Sequence, residues 1–236
     1  MDAMRNALDG GLSRLELPLS EETRQKLCGF GAMMVAQNEV MNLTAITEPA
    51  DIATLHFLDS AALLKLVDFQ NKSVVDVGTG AGFPGMPLRI LEPSIRLTLL
   101  DSLNKRIDFL RGVCDDLGLG DVNCVHARAE EFAAAHRESF DIATSRAVAA
   151  LPLLSELCLP LVKPGGWFLA MKAVDSDQEL RSAAHAIETL GGQLVRTENY
   201  QIPGIDVSHR LVFIKKIKET PKKYPRPFAK IKKNPL

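Results

Sequence analysis

The hydrophobic positions of the first 70 residues recur at the spacing of amphipathic helices. Ser20 is a capping residue followed by two acids, which is typical of a helix start. The apolar positions after it share one helical face: Leu27, Phe30, Met34 and Val35. A second helix is predicted to begin near Pro49, because proline suits a first turn. The apolar stripe of this second helix comprises Ile52, Leu55, Ala62 and Leu66.

Two ionisable residues accompany that second stripe. Asp59 falls among its apolar positions, and His56 precedes Asp59 by three residues. A polar group on a buried face needs a partner, because burial without one costs free energy. These side chains therefore either tie the helix to a neighbouring loop or border a functional site, and the sequence leaves both interpretations open.

From Lys72 onward the pattern changes, because short apolar runs alternate with helical segments. The runs are 73–77, 96–100, 123–126, 140–143, 167–171, 193–200 and 211–214. This alternation predicts an α/β fold in which a mostly parallel, seven-stranded sheet carries helices on both faces. The last two runs lack a long intervening helix, which predicts an antiparallel pair at the edge of the sheet.

Composition narrows the class of protein. The chain has 236 residues, 46% hydrophobic and 24% charged, which suits one globular body. No apolar run approaches the ~18 residues of a membrane span, and residues 1–10 lack the apolar core of a signal peptide. We therefore expect a cytoplasmic, monomeric protein without membrane contact. The cysteines are far apart in sequence and form no C-x-x-C pair, so reduced thiols and no metal site are expected.

Charge is distributed unevenly along the chain. Residues 210–236 contain ten lysines and arginines but one acid, whereas the remainder carries a net charge of −10. Such a basic end suggests a polyanionic partner. A solvated segment that only aids solubility is the alternative interpretation.

A glycine-rich loop follows the first predicted strand. Gly80 begins a match to the dinucleotide pattern G-x-G-x-x-G, but the glycine run starts earlier, at Gly78. The alignment that places glycine directly after the strand puts the carboxylate of Asp76 two residues before Gly78. A carboxylate is unfavourable beside a pyrophosphate and favourable beside a cationic cofactor such as S-adenosylmethionine. The loop therefore favours S-adenosylmethionine over a nicotinamide dinucleotide.

Two later features support the same cofactor. Asp101 ends the second predicted strand, where a carboxylate can accept both ribose hydroxyls, although a turn-forming Asp is the simpler alternative. The sequence LVKPGGWFLAMK (161–172) resembles the turn before the fifth strand of class I methyltransferases, followed by that strand. Together, these features predict a Rossmann-like, class I S-adenosylmethionine-dependent methyltransferase.

Several stretches of the chain resemble one family of these enzymes, the RsmG (GidB) family of bacterial 16S rRNA guanine-N7 methyltransferases. The stretches are NLTAI (42–46), HFLDS (56–60), DVGTGAGFPGMPL (76–88), LLDSLNKRIDFL (99–110), ARAEEF (127–132), SRAVA (145–149), KPGG (163–166) and KKNPL (232–236). The resemblance implies a helical N-terminal cap (1–70), a methyltransferase domain (71–214) and a basic C-terminal tail (215–236).

The same resemblance implies a reaction and a set of residues. The reaction is methyl transfer to N7 of a guanine in the 530 loop of 16S rRNA, guanine 527 in the usual rRNA numbering. Because N7 carries a lone pair and no hydrogen, no general base is expected. The implied cofactor contacts are Gly78, Phe83, Ala129, Glu130 and Arg146. The strand-end geometry adds Asp76 and Asp101, and the loop adds Gly80 and Gly82.

Arg146 is the candidate catalytic residue, since it follows a strand end and could reach the O6 edge of the guanine, a base or a phosphate. A salt bridge to Asp141 or Glu130 is the structural alternative. Lys172, at the next strand end, is either an RNA phosphate ligand or an ordinary surface lysine. The remaining predicted RNA ligands lie in an extended tail: Lys222, Lys223, Arg226, Lys230, Lys232 and Lys233. Tyr224 and Phe228 are expected to stack on unpaired bases.

Two other functions remain open from sequence. A nicotinamide-dependent oxidoreductase is disfavoured by Asp76 and by the offset of the glycines. The second alternative is an RNA-binding assembly factor without catalytic activity. Its partner would be the same, 16S rRNA or the small ribosomal subunit. This alternative does not explain why the glycine loop is complete.

Overall fold

A seven-stranded sheet organises the protein in a computed structural model that describes all 236 residues. The order of the strands is β3-β2-β1-β4-β5-β7-β6, and the predicted number of seven strands is confirmed. The strands are β1 Ser73–Val77, β2 Arg96–Asp101, β3 Asn123–His126, β4 Phe140–Arg146, β5 Val162–Ala173, β6 Gly192–Gln201 and β7 Ser208–Lys216. Strands β1 to β5 are parallel, and β7 inserts antiparallel between β5 and the edge strand β6.

Two central strands are longer than the apolar runs that predicted them. Strand β4 continues past Ala143 because its polar side chains find buried partners: the Thr144 hydroxyl donates to Asp76 at 3.3 Å and the Ser145 hydroxyl to the carbonyl of Val77 at 2.8 Å. Strand β5 starts five residues before Trp167 and includes the glycine turn. Hydrophobicity alone missed the end of β4 because hydrogen bonds, and not burial of apolar surface, hold Thr144 and Ser145 in the sheet.

Helices cover both faces of the sheet. They are α1 Asp2–Arg14, α2 Glu21–Met41, α3 Pro49–Ile52, α4 Asp59–Ala61, α5 Leu63–Leu66, α6 Gly85–Leu91, α7 Asn104–Asp116, α8 Ala129–Ala135, α9 Leu151–Cys158, α10 Asp177–Thr189 and α11 Phe228–Lys233. A π-helical turn, Ala53–Leu58, connects α3 to α4, and a 3₁₀ turn, Leu159–Leu161, precedes β5. The predicted starts at Ser20 and Pro49 are confirmed, and the Ser20 hydroxyl accepts from the Thr23 amide at 3.1 Å.

The N-terminal helices share one hydrophobic core with a face of the sheet. Fully buried side chains of α1 and α2, among them Met4, Leu8 and Phe30, join Val74 and Leu97 of the strands in that core. The predicted cap therefore buries apolar surface against the sheet, at about 25 cal/mol per Å². A second core on the opposite face contains α8, α9 and α10.

The C-terminal segment differs from the extended tail that the sequence suggested. Tyr224 and Ile231 are buried in the second core, so Tyr224 has no free face for a base. The Arg226 guanidinium binds both carboxylate oxygens of Glu156, with Nη2 and Oε2 2.6 Å apart. The expectation of an extended tail is wrong because apolar and ionic contacts hold the segment on α9.

Two structural findings bear on the expectations from composition. The Sγ atoms of Cys114 and Cys124 lie 3.9 Å apart although ten residues separate them, so the cysteines are not all remote from one another in space. No helix of the structure combines the length and apolar character needed to cross a membrane.

Candidate functional site

A cleft of about 500 Å³ opens at the carboxyl ends of the central strands. Strands β1 and β4 are adjacent there, and the chain order reverses between them, which is where open α/β sheets bind ligands. The cleft is lined by most of the predicted cofactor residues: Gly78, Gly80, Phe83, Asp101, Ala129, Glu130 and Arg146. The structure thus gathers residues from four strand ends around one cavity.

Two glycines of the loop have conformations that favour glycine. Gly78 has φ +70° and Gly80 has φ +60°, both in the left-handed region. A Cβ atom on Gly78 would lie 2.5 Å from a methyl carbon of Val148, so any side chain would displace that residue. The loop can therefore follow the floor of the cleft closely with its backbone.

The carboxylate of Asp76 lies beneath the loop and not in the cleft. It is fully buried and accepts from the Thr79 hydroxyl at 2.7 Å and the Gly85 amide at 3.0 Å. Burial raises the pKa of Asp76 to about 6, while those two hydrogen bonds act in the opposite direction. The predicted direct contact with a cationic cofactor is thus replaced by a role in shaping the glycine loop.

Gly82 also departs from its predicted place. It has φ +104°, and a Cβ atom there would lie 2.9 Å from carbons of Leu110 and Met86. Its backbone is packed against α6 and α7 and does not line the cleft. The need for glycine at this position arises from helix packing, which the spacing of the motif alone does not distinguish from ligand binding.

Asp101 stands at the edge of the cleft, where the sequence predicted it. Its Oδ2 accepts from the Gly80 amide at 2.9 Å, and its Oδ1 accepts from the Leu103 amide at 2.9 Å. The Arg106 guanidinium lies 3.4 Å from Oδ2. A carboxylate has about four acceptor positions, so with these three donors one position remains for a ribose hydroxyl.

The far wall of the cleft includes a residue from the C-terminal segment. Glu130, in the first turn of α8, pairs with the Nε atom of Arg128 at 2.6 Å. The Arg128 guanidinium lies 4.5 Å from the ring centre of Phe228, which lines the cleft. Sequence reasoning assigned Phe228 to RNA stacking and missed this position, because no local pattern links residue 228 to the loop after β3.

Arg146 pairs with neither of the acids that the sequence suggested. Its Nη1 donates to Asp59 at 2.9 Å and to the carbonyl of Leu55 at 3.2 Å, and its Nη2 lies 3.1 Å from Nδ1 of His56. The guanidinium lies 4.9 Å from the centre of the Phe83 ring. These contacts use three of the five N–H donors of arginine, so Nε and one Nη2 hydrogen remain for a ligand.

Asp59 connects the cleft to the antiparallel strands. Its side chain is fully buried, and its Oδ1 accepts from the Tyr200 hydroxyl and from Nδ1 of His209, each at 2.8 Å. Burial acts to raise the pKa of Asp59, but the hydrogen bond from His209 and the charge of Arg146 outweigh it and hold the pKa below its usual value. An ionised Asp59 thus fixes Arg146 from behind. Asp59 therefore lies behind the cleft, where it holds a residue of the cleft wall and does not line the cleft itself.

His56 occupies the π-helical turn, a feature common near functional sites. Burial, together with the charge of Arg146, lowers the pKa of His56 to about 4, so the ring is neutral at pH 7. Arginine only donates, which makes Nδ1 the acceptor and places the hydrogen on Nε2, 2.9 Å from the Thr44 hydroxyl. The ring stacks on Phe83 at 4.5 Å and supports the cleft wall.

Two predicted RNA ligands are occupied by protein partners. The Lys172 ammonium donates to Glu179 at 2.6 Å and to the carbonyl of Ala149 at 2.7 Å, and its side chain is 11% exposed. Arg226 is held by the buried Glu156. The largely buried Lys172 ammonium is thus not free for a phosphate. Arg226 uses two of its five N–H donors on Glu156, so its contact with RNA stays a prediction. The other predicted ligands are exposed: Lys222, Lys223, Lys230, Lys232 and Lys233.

The fold is shared with known methyltransferase structures. An S-adenosylmethionine-dependent O-methyltransferase from Thermotoga maritima aligns with a TM-score of 0.54 and 15% identity, covering 80% of this chain and 73% of that chain. TrmN from Thermus thermophilus aligns with a TM-score of 0.53 and 21% identity, covering 67% and 48%. At these identities the likeness concerns the fold alone.

Sequence comparison gives a closer relationship. A protein named ribosomal RNA small subunit methyltransferase G from Clostridium botulinum strain Alaska E43 is 48% identical over 223 residues, 93% of each chain. A relative of the same name from Clostridium perfringens is 45% identical over 238 residues, covering 100% of this chain and 98% of the relative. The profile of the GidB family, described as rRNA small subunit methyltransferase G, matches residues 23–206. The chain therefore belongs to the rRNA small subunit methyltransferase G (GidB) family.

Proposed function

We propose that this protein transfers a methyl group from S-adenosylmethionine to N7 of guanine 527, in the 530 loop of 16S rRNA. Its relatives carry the name of a small-subunit rRNA methyltransferase. The observation that carries the proposal is the cleft at the switch point of the sheet, where the glycine loop, Asp101 and the tethered Arg146 meet. A protein that methylates rRNA during ribosome assembly would act in the cytoplasm.

The cleft suits S-adenosylmethionine in size and chemistry. Its volume of about 500 Å³ lies within the usual range of small-molecule sites. Asp101 keeps one acceptor position for a ribose hydroxyl, and the positive-φ glycines leave the loop backbone open. When bound, S-adenosylmethionine supplies a methyl group on a sulfonium that is already activated for transfer.

The residues around the cleft are arranged for positioning and not for proton removal. Guanine N7 bears no hydrogen, so the reaction needs no base before transfer. His56 is neutral, and both of its ring nitrogens are engaged by Thr44 and Arg146. The two free N–H groups of Arg146 are suited to hold guanine O6 and leave the N7 lone pair available for attack. Alignment of this kind can contribute up to about 7–11 kcal/mol.

The RNA is expected to approach across the C-terminal segment. Phe228 lines the cleft, and the exposed lysines Lys222, Lys223, Lys230, Lys232 and Lys233 occupy the same segment. Lysine contacts to phosphates release counterions, so affinity should fall as salt rises. A docked segment presents these charges in a fixed arrangement, in contrast to a disordered tail.

Transfer of labelled methyl groups tests the proposal. Small ribosomal subunits from a strain that lacks the modification are incubated with the protein and tritiated S-adenosylmethionine. Subunits from the parent strain, whose rRNA already carries the modification, serve as the matched control. We expect about one methyl group per deficient subunit and none on the control. Binding to the subunits without transfer would contradict the proposal and favour an assembly factor without catalytic activity.

A further inference from the structure

A second cavity, of about 590 Å³, lies at the opposite end of the sheet from the cofactor cleft. It forms where β4 and β5 begin, between the end of α5 and the antiparallel strands. Trp167 of β5, which lines this cavity, pairs with Ile142, whereas the cleft residue Arg146 pairs with Met171. Four residues of strand separate the two levels, about 13 Å at 3.3 Å per residue. The proposed methyl transfer gives this cavity no role.

Basic side chains dominate the cavity. Lys72, Lys163, Arg196 and Lys215 line it against two acids, Asp68 and Asp141. Asp141 is already engaged by the amide and hydroxyl of Ser73, at 2.8 and 2.7 Å, and by Lys163 at 3.0 Å. These contacts hold the pKa of Asp141 at about 2 although burial acts to raise it, so Asp141 stays ionised and paired.

Two of the four cations have no carboxylate partner. Among the ion pairs of the structure, Lys163 pairs with Asp141 and Arg196 pairs with Glu198 at 3.3 Å. Neither Lys72 nor Lys215 lies within 4.0 Å of a carboxylate oxygen. Both ammonium groups are therefore available to an anion that enters the cavity.

Aromatic rings form the other wall. Trp167, the only tryptophan of the chain, is partly exposed, and the Lys215 ammonium lies 4.3 Å from its ring centre. The Arg196 guanidinium lies 4.1 Å from the centre of the Phe213 ring, and that ring meets Trp167 edge to face at 6.1 Å. Flat rings and a planar guanidinium beside free cations suit a ligand that is both anionic and planar.

The glycine turn that leads into β5 keeps this arrangement close. A Cβ atom on Gly166 would lie 2.5 Å from the carbonyl oxygen of Asp141, so a larger residue would push the turn away from β4. Because Gly166 stands between Lys163 and Trp167, its close approach holds the lysine and the ring at one cavity. The KPGG stretch thus contributes to this site and not to the cofactor cleft.

We propose that this basic aromatic cavity binds one unpaired RNA nucleotide, with the phosphate at Lys72 and Lys215 and the base against Trp167. The cavity volume fits a nucleotide, since small-molecule sites span roughly 300–1,000 Å³. This inference rests on the proposed function in one respect: RNA is taken as the source of the nucleotide because the protein is proposed to act on rRNA. It gives the protein a contact with its substrate remote from the methylated guanine.

Fluorescence of the single tryptophan tests this site directly. The full-length protein is titrated with adenosine 5′-monophosphate, with a six-nucleotide single-stranded RNA and with inorganic phosphate. Each titration is run with and without S-adenosylhomocysteine in the cofactor cleft. We expect saturable quenching by the nucleotide and tighter binding of the RNA, both independent of S-adenosylhomocysteine. Inorganic phosphate is expected to bind more weakly and to leave the emission nearly unchanged.

A matched set of variants assigns the signal to the cavity. Replacing the free cations in the double variant Lys72→Gln/Lys215→Gln should weaken nucleotide binding about 100-fold, because each of the two charge-assisted hydrogen bonds is worth about tenfold. Arg196→Gln should weaken it less, and the exposed Lys218→Gln, outside the cavity, should leave it unchanged. Circular dichroism verifies that each variant is folded.

Three results would overturn the proposal. They are the absence of quenching by the nucleotide, equal affinity for inorganic phosphate and nucleotide, and full affinity in the folded double variant. Since none of these readouts depends on methyl transfer, failure of this site is distinguishable from failure of the proposed activity.

Discussion

The ends of the neighbouring strands β4 and β5 carry basic residues that look alike in sequence and differ in the structure. Arg146 is held from behind by Asp59 and keeps two N–H donors for the cofactor cleft. Lys172 gives its ammonium to Glu179 and Ala149 and lies outside the cleft. Position at a strand end therefore makes a residue a candidate, and partners from distant parts of the chain decide its role.

Replacing Arg146 and Lys172 one at a time should give the largest difference in methyl-transfer activity between two variants. We expect Arg146→Ala to lower methyl transfer about 100-fold, because small errors of alignment at a reacting centre have effects of that size. Lys172→Ala should leave transfer within about twofold. Arg146→Ala should also melt at lower temperature, since it removes the partner of the fully buried Asp59, whereas Glu179 is only partly buried and Lys172→Ala should shift the melting temperature less. Initial rates with deficient subunits and melting curves measure the two effects, and equal loss of activity in both variants would refute the contrast.

The effect on stability departs from what the sequence suggested for Arg146. The sequence suggested only Asp141 or Glu130 as a partner of Arg146 and did not indicate the buried Asp59. Loss of Arg146 leaves the fully buried Asp59 with Tyr200 and His209 alone. Activity must therefore be compared at a temperature where both variants remain folded.

The stability that the cluster behind Arg146 contributes also depends on pH. The pKa of His56 is lowered to about 4, so between pH 6.5 and 4 the unfolded chain binds a proton that the folded protein does not. His56 alone should therefore lower the stability as the pH falls, by about 2 kcal/mol between pH 7 and pH 5. Asp76, whose pKa burial raises to about 6, acts in the opposite direction in the same window. The pKa of His209 is raised, chiefly by its hydrogen bond to Asp59. His209 therefore contributes stability at low pH, and this contribution is lost as the pH rises through the raised pKa.

Urea denaturation at pH 7 and pH 5 measures this difference. We expect His56→Gln to lose part of the pH-dependent decrease, whereas the exposed His185→Gln should retain it in full. A decrease of the same size in both variants would show that His56 is not the group responsible.

The substitution Asp59→Asn tests how Asp59 holds Arg146, without removing Arg146 itself. The amide keeps the size of the carboxylate but loses its charge, so Arg146 should be held less firmly and kcat should fall about tenfold. Cofactor affinity should change little, because Asp59 lies behind the cleft and does not line it. Saturation kinetics separate the two effects, and a change confined to KM for S-adenosylmethionine would contradict a positioning role.

The smallest expected effect concerns the C-terminal segment. Phe228→Ala should weaken S-adenosylmethionine binding about threefold, since one partly exposed ring of the cleft wall is lost. Exposed Lys232→Gln is the matched control for cofactor binding and should affect RNA binding alone. Equilibrium dialysis gives both affinities. Unchanged cofactor affinity in Phe228→Ala would show that this segment serves only the RNA.

Sequence reasoning recovered the features that local patterns encode. The seven strands, the edge pair and the position of Asp101 follow from apolar runs and from residues that directly end them. The contacts it missed join residues far apart in the chain. Asp59 meets His209 across 150 residues, and Glu156 meets Arg226 across 70. Partner choice of this kind depends on packing, which spacing along the chain does not report.

Asp76 and Gly82 show a related limit. Both belong to the motif that predicted the cofactor, yet the structure gives them buried contacts beneath and behind the loop. The motif therefore combines residues that could touch a ligand with residues that shape the loop, and only geometry separates the two kinds.

Cleavage of the rRNA at the methylated base tests the central claim most directly. Methylation at N7 makes guanosine sensitive to borohydride reduction followed by aniline, which breaks the RNA strand at that nucleotide. Deficient small subunits treated with the protein and S-adenosylmethionine should yield one new break, at guanine 527, and Arg146→Ala should yield almost none in the same time. Methyl incorporation without a break in the 530 loop, or a break at another guanine, would contradict the account.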